Sequence, residues 1–184
     1  MSITLDVKKQ WLTQVRQVPS PNCDERPTGC EVDLIVIHGI SLPPNEYGGP
    51  YIDQLFTNTL DPQAHPYFAE IAALRVSSHV LVNRKGELTQ YVPFDARAWH
   101  AGESEFEGRQ TCNNFSIGIE LEGCDEQDYE PVQYEVAASL VRLLMENWKG
   151  IDKTRVLGHC DIAPGRKTDP GEAFKWEYFY SLLD

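Results

Sequence analysis

The segment from Asp33 to His38 is a short apolar run rich in β-branched residues. A run of this length is typical of a strand that is buried on both faces of a sheet. His38 ends the run, so we expect its imidazole to lie at the exit of the strand. The Pro- and Gly-rich stretch SLPPNEYGGP then predicts a loop, and Ile52, Leu55 and Phe56 share one face of a predicted helix.

Two more strands are predicted on either side of the tetrapeptide NRKG at 83–86. Residues 76–82 and 87–92 are strand-like, and Gly86 can take the positive φ angle that a tight hairpin needs. The later segment SIGIELE, residues 116–122, alternates strictly and predicts another strand. One face of that strand carries Ile117, Ile119 and Leu121, and the other carries Gly118, Glu120 and Glu122.

Helical periodicity dominates the last third of the chain. One stripe is formed by Val132, Val136, Leu140, Leu143 and Leu144, and a second by Phe174, Tyr178 and Leu182. Gly150 is suited to end the first helix. The mixture of strands and helices predicts an α+β (mixed α/β) fold with a central mixed β-sheet flanked by helices. With 184 residues and no linker or repeat, the chain is expected to form a single domain over residues 1–184.

Composition narrows the classes of function. The chain is 41% hydrophobic and 24% charged, and it has no apolar run near 20 residues, so a membrane span is not expected. The start, MSITLDVKKQWL, lacks the features of a secretory signal and predicts a cytoplasmic protein. A net charge of −12 without a basic stripe argues against nucleic acid as a partner. Five cysteines without C-x-x-C spacing predict reduced thiols rather than a disulfide framework.

The loop VLGHCDIAPGRKTDPG, residues 156–171, holds chemistry between turn-forming residues. His159 and Asp169 in this loop, together with His38, could supply the three ligands of a catalytic zinc site, which leaves a fourth position open for water. The alternative is that His38 is a core histidine, His159 a loop histidine and Asp169 a turn residue or helix cap. The spacing of nine residues between His159 and Asp169 does not decide between these readings.

Five segments of the chain, taken together, resemble a known family. They are LIVIHGISLPPNEYGGP, DPQAHPYF, LRVSSHVLVNRKGELTQYVPFDARAWHAG, CNNFSIGIELEG and GHCDIAPGRKTDPG. In order and spacing they resemble the AmpD-type family of N-acetylmuramoyl-L-alanine amidases. The resemblance implies a fold shared with peptidoglycan-recognition proteins, one Zn²⁺ per chain, and cleavage of the amide between the lactyl group of 1,6-anhydro-N-acetylmuramic acid and L-alanine. It also implies anhydromuropeptides as substrates, and we expect a monomer.

Carried over residue by residue, the resemblance places the zinc ligands at His38, His159 and Asp169. It places the catalytic carboxylate at Glu120, which is suited to move protons, and the lysine that faces the oxyanion at Lys167. The predicted substrate-binding residues are Arg75, Trp99 and Ala163. Arg75 matches a family arginine that pairs with a stem-peptide carboxylate, although it could equally be a surface charge, and Trp99 could be a core residue.

Further expectations concern residues near the predicted site and the alternative function. Glu122 is expected to be a solvated charge or a structural hydrogen-bonding group, and Cys160 a buried thiol. Gly39 and Thr111 stand where other family members carry asparagine and arginine, and Arg109 could replace the second guanidinium. The SLPPNEYGGP segment could move over the substrate. The alternative function is a non-catalytic muropeptide-binding module.

Overall fold

The computed structural model describes residues 3–184, so Met1 and Ser2, which open the segment used to predict location, lie outside it. The strands are β1 Thr4–Asp6, β2 Trp11–Thr13, β3 Arg16–Gln17, β4 Cys23–Glu25, β5 Leu34–Ile40, β6 Val80–Val82, β7 Leu88–Gln90, β8 Ala96–Ala98, β9 Glu105–Phe106, β10 Arg109–Gln110, β11 Ser116–Glu122 and β12 Val156–Gly158. The α-helices are α1 Tyr51–Phe56, α2 Phe68–Ile71, α3 Pro131–Asn147, α4 His159–Ile162 and α5 Trp176–Ser181. Short 3-10 helices cover Cys112–Asn114 and Lys153–Arg155.

A six-stranded sheet in the order β12-β5-β11-β6-β7-β3 forms the centre of the fold. The pairs β12–β5, β5–β11 and β11–β6 are parallel, β6–β7 is antiparallel and β7–β3 is parallel. Three two-stranded antiparallel ribbons, β1–β2, β4–β8 and β9–β10, surround it. The predicted α+β fold with a central mixed sheet is therefore confirmed.

The strand predicted from the apolar run is confirmed as β5, with both faces buried as expected. It runs two residues beyond His38, because the neighbouring strand β11 pairs with it as far as Ile40. One face, with Ile35 and Ile37, packs in the main core against α3 and α5. The other face, with Leu34 and Val36, packs in a smaller cluster. His38 continues this second face.

Strand β11 is confirmed at the predicted residues and is buried along its whole length. Its isoleucines and Leu121 belong to the main core, so the opposite face carries Ser116, Gly118, Glu120 and Glu122. The hairpin between β6 and β7 is also confirmed, with Gly86 at φ +75°. Its strands are shorter than predicted.

The first of the two helices predicted in the last third of the chain is confirmed as α3, but its stripe was partly wrong. Val132 is exposed, whereas Val136 is partly buried and packs against the main core, and both lie close to the turn at Gly86. The helix ends at Asn147, before Gly150. The second stripe was also partly wrong, because Phe174 is buried as predicted but Tyr178 is not. Helix α5 begins at Trp176, Tyr178 is exposed, and Phe174, Phe179 and Leu183 are the buried positions.

The structure bears on the expectations about the cysteines and about a membrane span. All five cysteines are free thiols, and Cys160 is half-buried rather than buried. Within residues 3–184, no helix is both long enough and apolar enough to cross a bilayer.

Candidate metal centre and active site

The parallel strands bring the predicted site residues to one edge of the sheet. Glu120 on β11 lies opposite His38 on β5 in the strand register, and Gly158 of β12 lies opposite Ile37. His159 follows directly as the first residue of α4. The carboxyl ends of parallel strands are where open α/β sheets place ligands, because all the following loops leave from that edge.

His38, His159 and Asp169 converge on one point. The Nδ1 atoms of the two histidines are 3.0 Å apart, and the Asp169 Oδ2 atom lies 3.0 Å from Nδ1 of His38 and 3.1 Å from Nδ1 of His159. Within residues 3–184 no other group of three such side chains converges in this way. In a tetrahedral zinc site with bonds of about 2.0–2.1 Å, ligand atoms are separated by roughly 3.3 Å. This triangle is close to that size.

The positions of the protons on the two histidines also favour a metal ion at this triangle. Burial lowers the pKa of His38 to about 4, so its imidazole is neutral at pH 7. Nε2 of His159 lies 3.0 Å from the carbonyl oxygen of Ala101, which can only accept, so the single proton of a neutral His159 sits on Nε2. Its Nδ1 then presents a lone pair towards the Asp169 carboxylate. This nitrogen and the carboxylate oxygen are two acceptors 3.1 Å apart that repel each other, and a cation bound between them removes the repulsion.

Asp169 supplies the negative charge of the group. Burial opposes its ionisation, but positive charge at the triangle, as a proton on the two imidazoles or as a metal ion in its place, outweighs that effect and holds the pKa of Asp169 below its ordinary range. Two imidazole groups and one carboxylate are ligands that zinc accepts in catalytic sites. The residues present therefore fit a divalent metal.

Backbone contacts fix the loop that carries Asp169. The amide of Cys160 donates to the carbonyl oxygen of Asp169 at 3.0 Å, which ties the loop to α4. The buried Tyr129 hydroxyl donates to the carbonyl oxygen of Pro170 at 2.9 Å. The Tyr129 ring reaches that point because Gly39 and Gly123 leave room for it, since a Cβ at either position would lie 2.2–2.3 Å from a Tyr129 atom.

Glu120 is a buried carboxyl group beside this triangle. It is 7% exposed, and none of the hydrogen bonds formed by residues 3–184 involves its carboxylate. Burial raises the pKa of Glu120 well above its ordinary value, and the charge of Asp169 raises it further, while Lys167 acts in the opposite direction. A carboxyl group with a raised pKa can both take and return a proton near neutral pH.

Lys167 is the exposed cation of the site. Its amide donates to the carbonyl oxygen of Ala163 at 3.0 Å, which places it in a turn directly after α4. Its charge acts on both His38 and Glu120. The turn therefore presents an ammonium group to the same space as the triangle and Glu120.

A cavity of about 600 Å³ opens over these groups. His38, Glu120, His159, Lys167 and Asp169 all line it. An apolar wall of the cavity comes from α1, α2 and their flanking loops, namely Leu42, Leu55, Phe56, Tyr67, Ile71, Leu74 and Val76. The cavity thus joins a polar reactive edge to an apolar wall.

The predicted substrate-binding residues lie around this cavity rather than in it. Arg75 is exposed between two lining residues, and its guanidinium contacts the carbonyl oxygens of Ala73 and Leu74. Trp99 is half-buried and donates from Nε1 to Asp24 at 3.1 Å. Ala163 is buried and lines a neighbouring depression of about 360 Å³. The contacts of these three residues with a substrate stay predictions.

The open questions about nearby residues are answered by their contacts. Glu122 is a structural hydrogen-bonding group, because its buried carboxylate accepts from the amides of Gly48 and Arg84. Arg109 is bound to both carboxylate oxygens of Asp33 at 2.9–3.0 Å and does not line the cavity. It therefore does not replace a guanidinium in the site.

Sequence reasoning missed the residues that support the site. Tyr129 contacts the loop that carries Asp169. Asn113, Ser116 and Arg166 contact His100 and Ala101, which lie behind the two histidines. None of the four belongs to a local pattern that signals this role. The apolar wall was missed for the same reason. A substantial share of it comes from residues on α1 and α2, which read in sequence as ordinary core positions.

Comparisons with known proteins agree with this geometry. Residues 28–172 match the family described as N-acetylmuramoyl-L-alanine amidase. The chain is 57% identical to the 1,6-anhydro-N-acetylmuramyl-L-alanine amidase AmpD of Escherichia coli (strain K12), over 96% of both sequences. It superposes on a crystal structure of a selenomethionine derivative of AmpD with a TM-score of 0.94 and 54% identity, covering 98% of this chain and 99% of that one.

A more distant solved relative is a complex. It is the N-acetylmuramyl-L-alanine amidase AmiD from E. coli with anhydro-N-acetylmuramic acid-L-Ala-D-γ-Glu-L-Lys, with a TM-score of 0.60 and 26% identity over 98% of this chain and 65% of that chain. The sequence match, the shared fold and the convergent site lead to one conclusion. This chain belongs to the N-acetylmuramoyl-L-alanine amidase family.

Proposed function

We propose that this protein hydrolyses the amide between the lactyl group of 1,6-anhydro-N-acetylmuramic acid and L-alanine, as a step of peptidoglycan recycling, with one zinc ion per chain. The observation that carries the proposal is the triangle of His38, His159 and Asp169 at 3.0–3.1 Å, beside the Glu120 carboxyl group, which forms no hydrogen bond with any of residues 3–184. The AmpD relatives that carry this activity in their names support the substrate.

His38, His159 and Asp169 are proposed to hold the zinc ion. A zinc ion at such a site lowers the pKa of a water molecule to about 7 and polarises a carbonyl group. The lowered pKa of His38 supports the proposal, because a neutral imidazole is the form that binds metal.

Glu120 is proposed to move the proton. It accepts a proton from the attacking water and returns it to the amine of L-alanine as that amine departs. Its raised pKa suits both steps, and no described partner has to release its carboxylate first. A positioned general acid–base group of this kind contributes about 10²- to 10⁴-fold in rate.

Lys167 is proposed to stabilise the oxyanion that develops on the carbonyl oxygen. Its turn places the ammonium group at the cavity that holds Glu120 and the triangle. A cation preorganised at this point acts in the transition state more than on the neutral amide.

The apolar wall and the predicted contacts complete the proposal. We propose that the wall formed around Leu55, Phe56 and Tyr67 packs against the substrate, and that Arg75, Trp99 and Ala163 contribute at its margins. We also propose that residues 1–184 act as one domain, as a monomer, in the cytoplasm.

The test is a product assay. Purified protein is incubated with an anhydromuropeptide in zinc, and release of the free peptide is followed by mass spectrometry with and without a chelator. We expect release in zinc, loss of release in chelator, and recovery when zinc is returned. Glu120→Gln is the matched control, because it keeps the shape of the side chain and removes its proton chemistry. Binding without release by the zinc-loaded wild-type protein would contradict the proposal and favour a muropeptide receptor.

A further inference from the structure

The two ligand histidines point their second ring nitrogens at consecutive residues of one segment. Nε2 of His38 lies 2.9 Å from Nδ1 of His100, and Nε2 of His159 lies 3.0 Å from the carbonyl oxygen of Ala101. The segment between β8 and β9 therefore contacts both imidazoles from behind, on the side away from the triangle.

The closer of two partners sets the sense of the His159 contact, because the Arg166 guanidinium, which can only donate, lies farther from the same nitrogen, at 3.4 Å. A carbonyl oxygen accepts and cannot donate, so Nε2 of His159 carries the proton. The contact of His38 with His100 is different, because a neutral imidazole nitrogen can be a donor or an acceptor. The sense of this second contact depends on the other nitrogen of His100.

Ser116 decides the state of His100. The Ser116 hydroxyl lies 2.6 Å from the carbonyl oxygen of Cys112, so its single proton is donated there. The same oxygen lies 3.1 Å from Nε2 of His100 and must accept from it. His100 therefore carries its proton on Nε2 and leaves Nδ1 as the acceptor for the Nε2 proton of His38. As a result, Nδ1 of His38 presents a lone pair to the triangle.

Steric contacts hold the His100 ring in this position. A Cβ at Gly118 would lie 2.6–2.8 Å from three atoms of the His100 ring, so the ring lies flat over a position where only glycine fits. Ser116 and Gly118 are alternate residues on the face of β11 that also carries Glu120. One strand face thus supports His100 and supplies the catalytic carboxyl group.

Backbone contacts fix the segment itself. The Asn113 Oδ1 atom accepts from the amides of His100 and Ala101 at 3.1 and 2.8 Å. The Arg166 guanidinium donates to the carbonyl oxygen of Ala101 at 2.6 Å, next to the contact with His159. Hydrogen bonds with Asn113 and Arg166 therefore hold His100 and Ala101 in place behind the two ligand histidines.

We propose that His100, seated on Ser116 and Gly118, is a positioning residue that keeps the proton of His38 on Nε2 and so directs the Nδ1 lone pair towards the metal. This inference rests on the metal site of the proposed function. Outer-shell groups of this kind fix the tautomer and the ring orientation of a ligand histidine, and their loss typically costs about 10- to 100-fold in metal affinity.

The first experiment measures zinc affinity by competition with a chromogenic chelator. His100→Leu removes the acceptor, Ser116→Ala removes the group that sets the tautomer, and Gly118→Ala displaces the ring without removing a polar group. We expect zinc to bind about 10- to 100-fold more weakly to each variant. His100→Asn places an amide oxygen near the position of Nδ1 and should recover part of the loss.

The matched control is Leu144→Ala. Leu144 is fully buried on α3, so its truncation destabilises the protein without contacting the site. We expect its zinc affinity to equal that of the wild type. A folded His100→Leu variant with wild-type zinc affinity would overturn the inference.

The second experiment needs no variant and no activity. The chain has five histidines, so ¹⁵N labelling of histidine with long-range ¹H–¹⁵N correlation can assign each tautomer in the metal-free wild-type protein. We expect the Nε2–H tautomer for His38 and for His100. A proton predominantly on Nδ1 of His38 would refute the role of His100. Failure of the wild type to bind zinc at all would instead count against the proposed function, so the two failures are distinguishable.

Discussion

Glu120 lies directly opposite His38 on the neighbouring parallel strand. Both side chains project from the same face of the sheet, so the proposed proton carrier is fixed beside a proposed metal ligand by the strand register alone. A shift of the register by one residue would turn one of them into the core on the other face. Variants of the site residues and of their neighbours test the proposed roles.

His159→Ala should abolish stoichiometric zinc binding. The substitution removes one of three converging ligand atoms and leaves His38 and Asp169 as an incomplete set. Metal content after dialysis against zinc, measured by elemental analysis, checks this. His65→Ala is the control, since the His65 ring accepts from the amide of Tyr67, packs against Phe68 and lies outside the triangle. Full zinc content in the His159 variant would contradict the ligand assignment.

Lys167→Ala should keep the metal and lose turnover. Because Lys167 lines the cavity and is not among the converging ligand residues, we expect zinc content and unfolding temperature to stay at wild-type values. The value of kcat should fall by about 10²- to 10³-fold, the range for loss of one oxyanion donor. Lys175→Ala, which removes an exposed lysine paired with Asp128, is the control and should leave kcat unchanged. A near-normal kcat for Lys167→Ala would remove the residue from the mechanism.

Glu120→Gln should stabilise the metal-free protein at neutral pH. Burial raises the pKa of Glu120 in the folded state, so the wild type loses stability as the pH rises from the ordinary glutamate pKa through the raised folded pKa. Glutamine has no charge to bury. The advantage of the variant should therefore be close to zero below about pH 4 and grow towards neutral pH.

Urea unfolding of both proteins in chelator, at several pH values, measures this difference. Glu146→Gln on the exposed side of α3 is the control and should show no such trend. An advantage that is independent of pH would contradict the assigned cause.

Gly39→Ala should destabilise the protein, and Tyr129→Phe should relieve the effect. A Cβ at residue 39 would lie 2.3 Å from the Tyr129 hydroxyl oxygen, whereas the next nearest atoms are 3.5 and 3.6 Å away. Overpacking of this kind typically costs about 1–3 kcal/mol. Removal of the hydroxyl in the double variant should recover most of it, so a double-mutant cycle should give a favourable coupling energy. Additive effects would show that Tyr129 moves aside without cost.

Glu122→Ala should loosen the SLPPNEYGGP segment. The carboxylate accepts from the amide of Gly48 at 2.6 Å and from the amide of Arg84 at 3.1 Å, and thereby joins the segment to the β6–β7 hairpin. Hydrogen exchange at both amides should accelerate in the variant. Glu122→Gln keeps only one acceptor oxygen and should retain protection at only one of the two amides. Unchanged exchange would show that other contacts, such as that of Tyr47 with Gln127, hold the segment.

Motion of that segment over the substrate stays a prediction. The tether through Glu122 means that any such motion has to break a buried hydrogen bond or carry the hairpin turn with it.

Local patterns in the sequence predicted the strands and helices well wherever one periodicity dominated. The run ending at His38, the alternation of residues 116–122 and the turn at Gly86 each correspond to an observed element. The helical stripes were less reliable. Val132 and Tyr178 read as core positions but are exposed, because a helix buries whichever residues its neighbours cover, and that depends on where it docks.

The sequence by itself determined which groups are available, namely two histidines, an aspartate, a glutamate and a lysine in segments that resemble one family. Only the tertiary structure decided that they meet. His38 and His159 are 121 residues apart, and their Nδ1 atoms come within 3.0 Å because β12 and β11 both pair in parallel with β5. The tertiary structure also decided which nitrogen of each imidazole carries the proton, because the hydrogen-bond partner of the second ring nitrogen sets the tautomer. His100, Ser116 and Ala101 are such partners, and no local pattern identifies them.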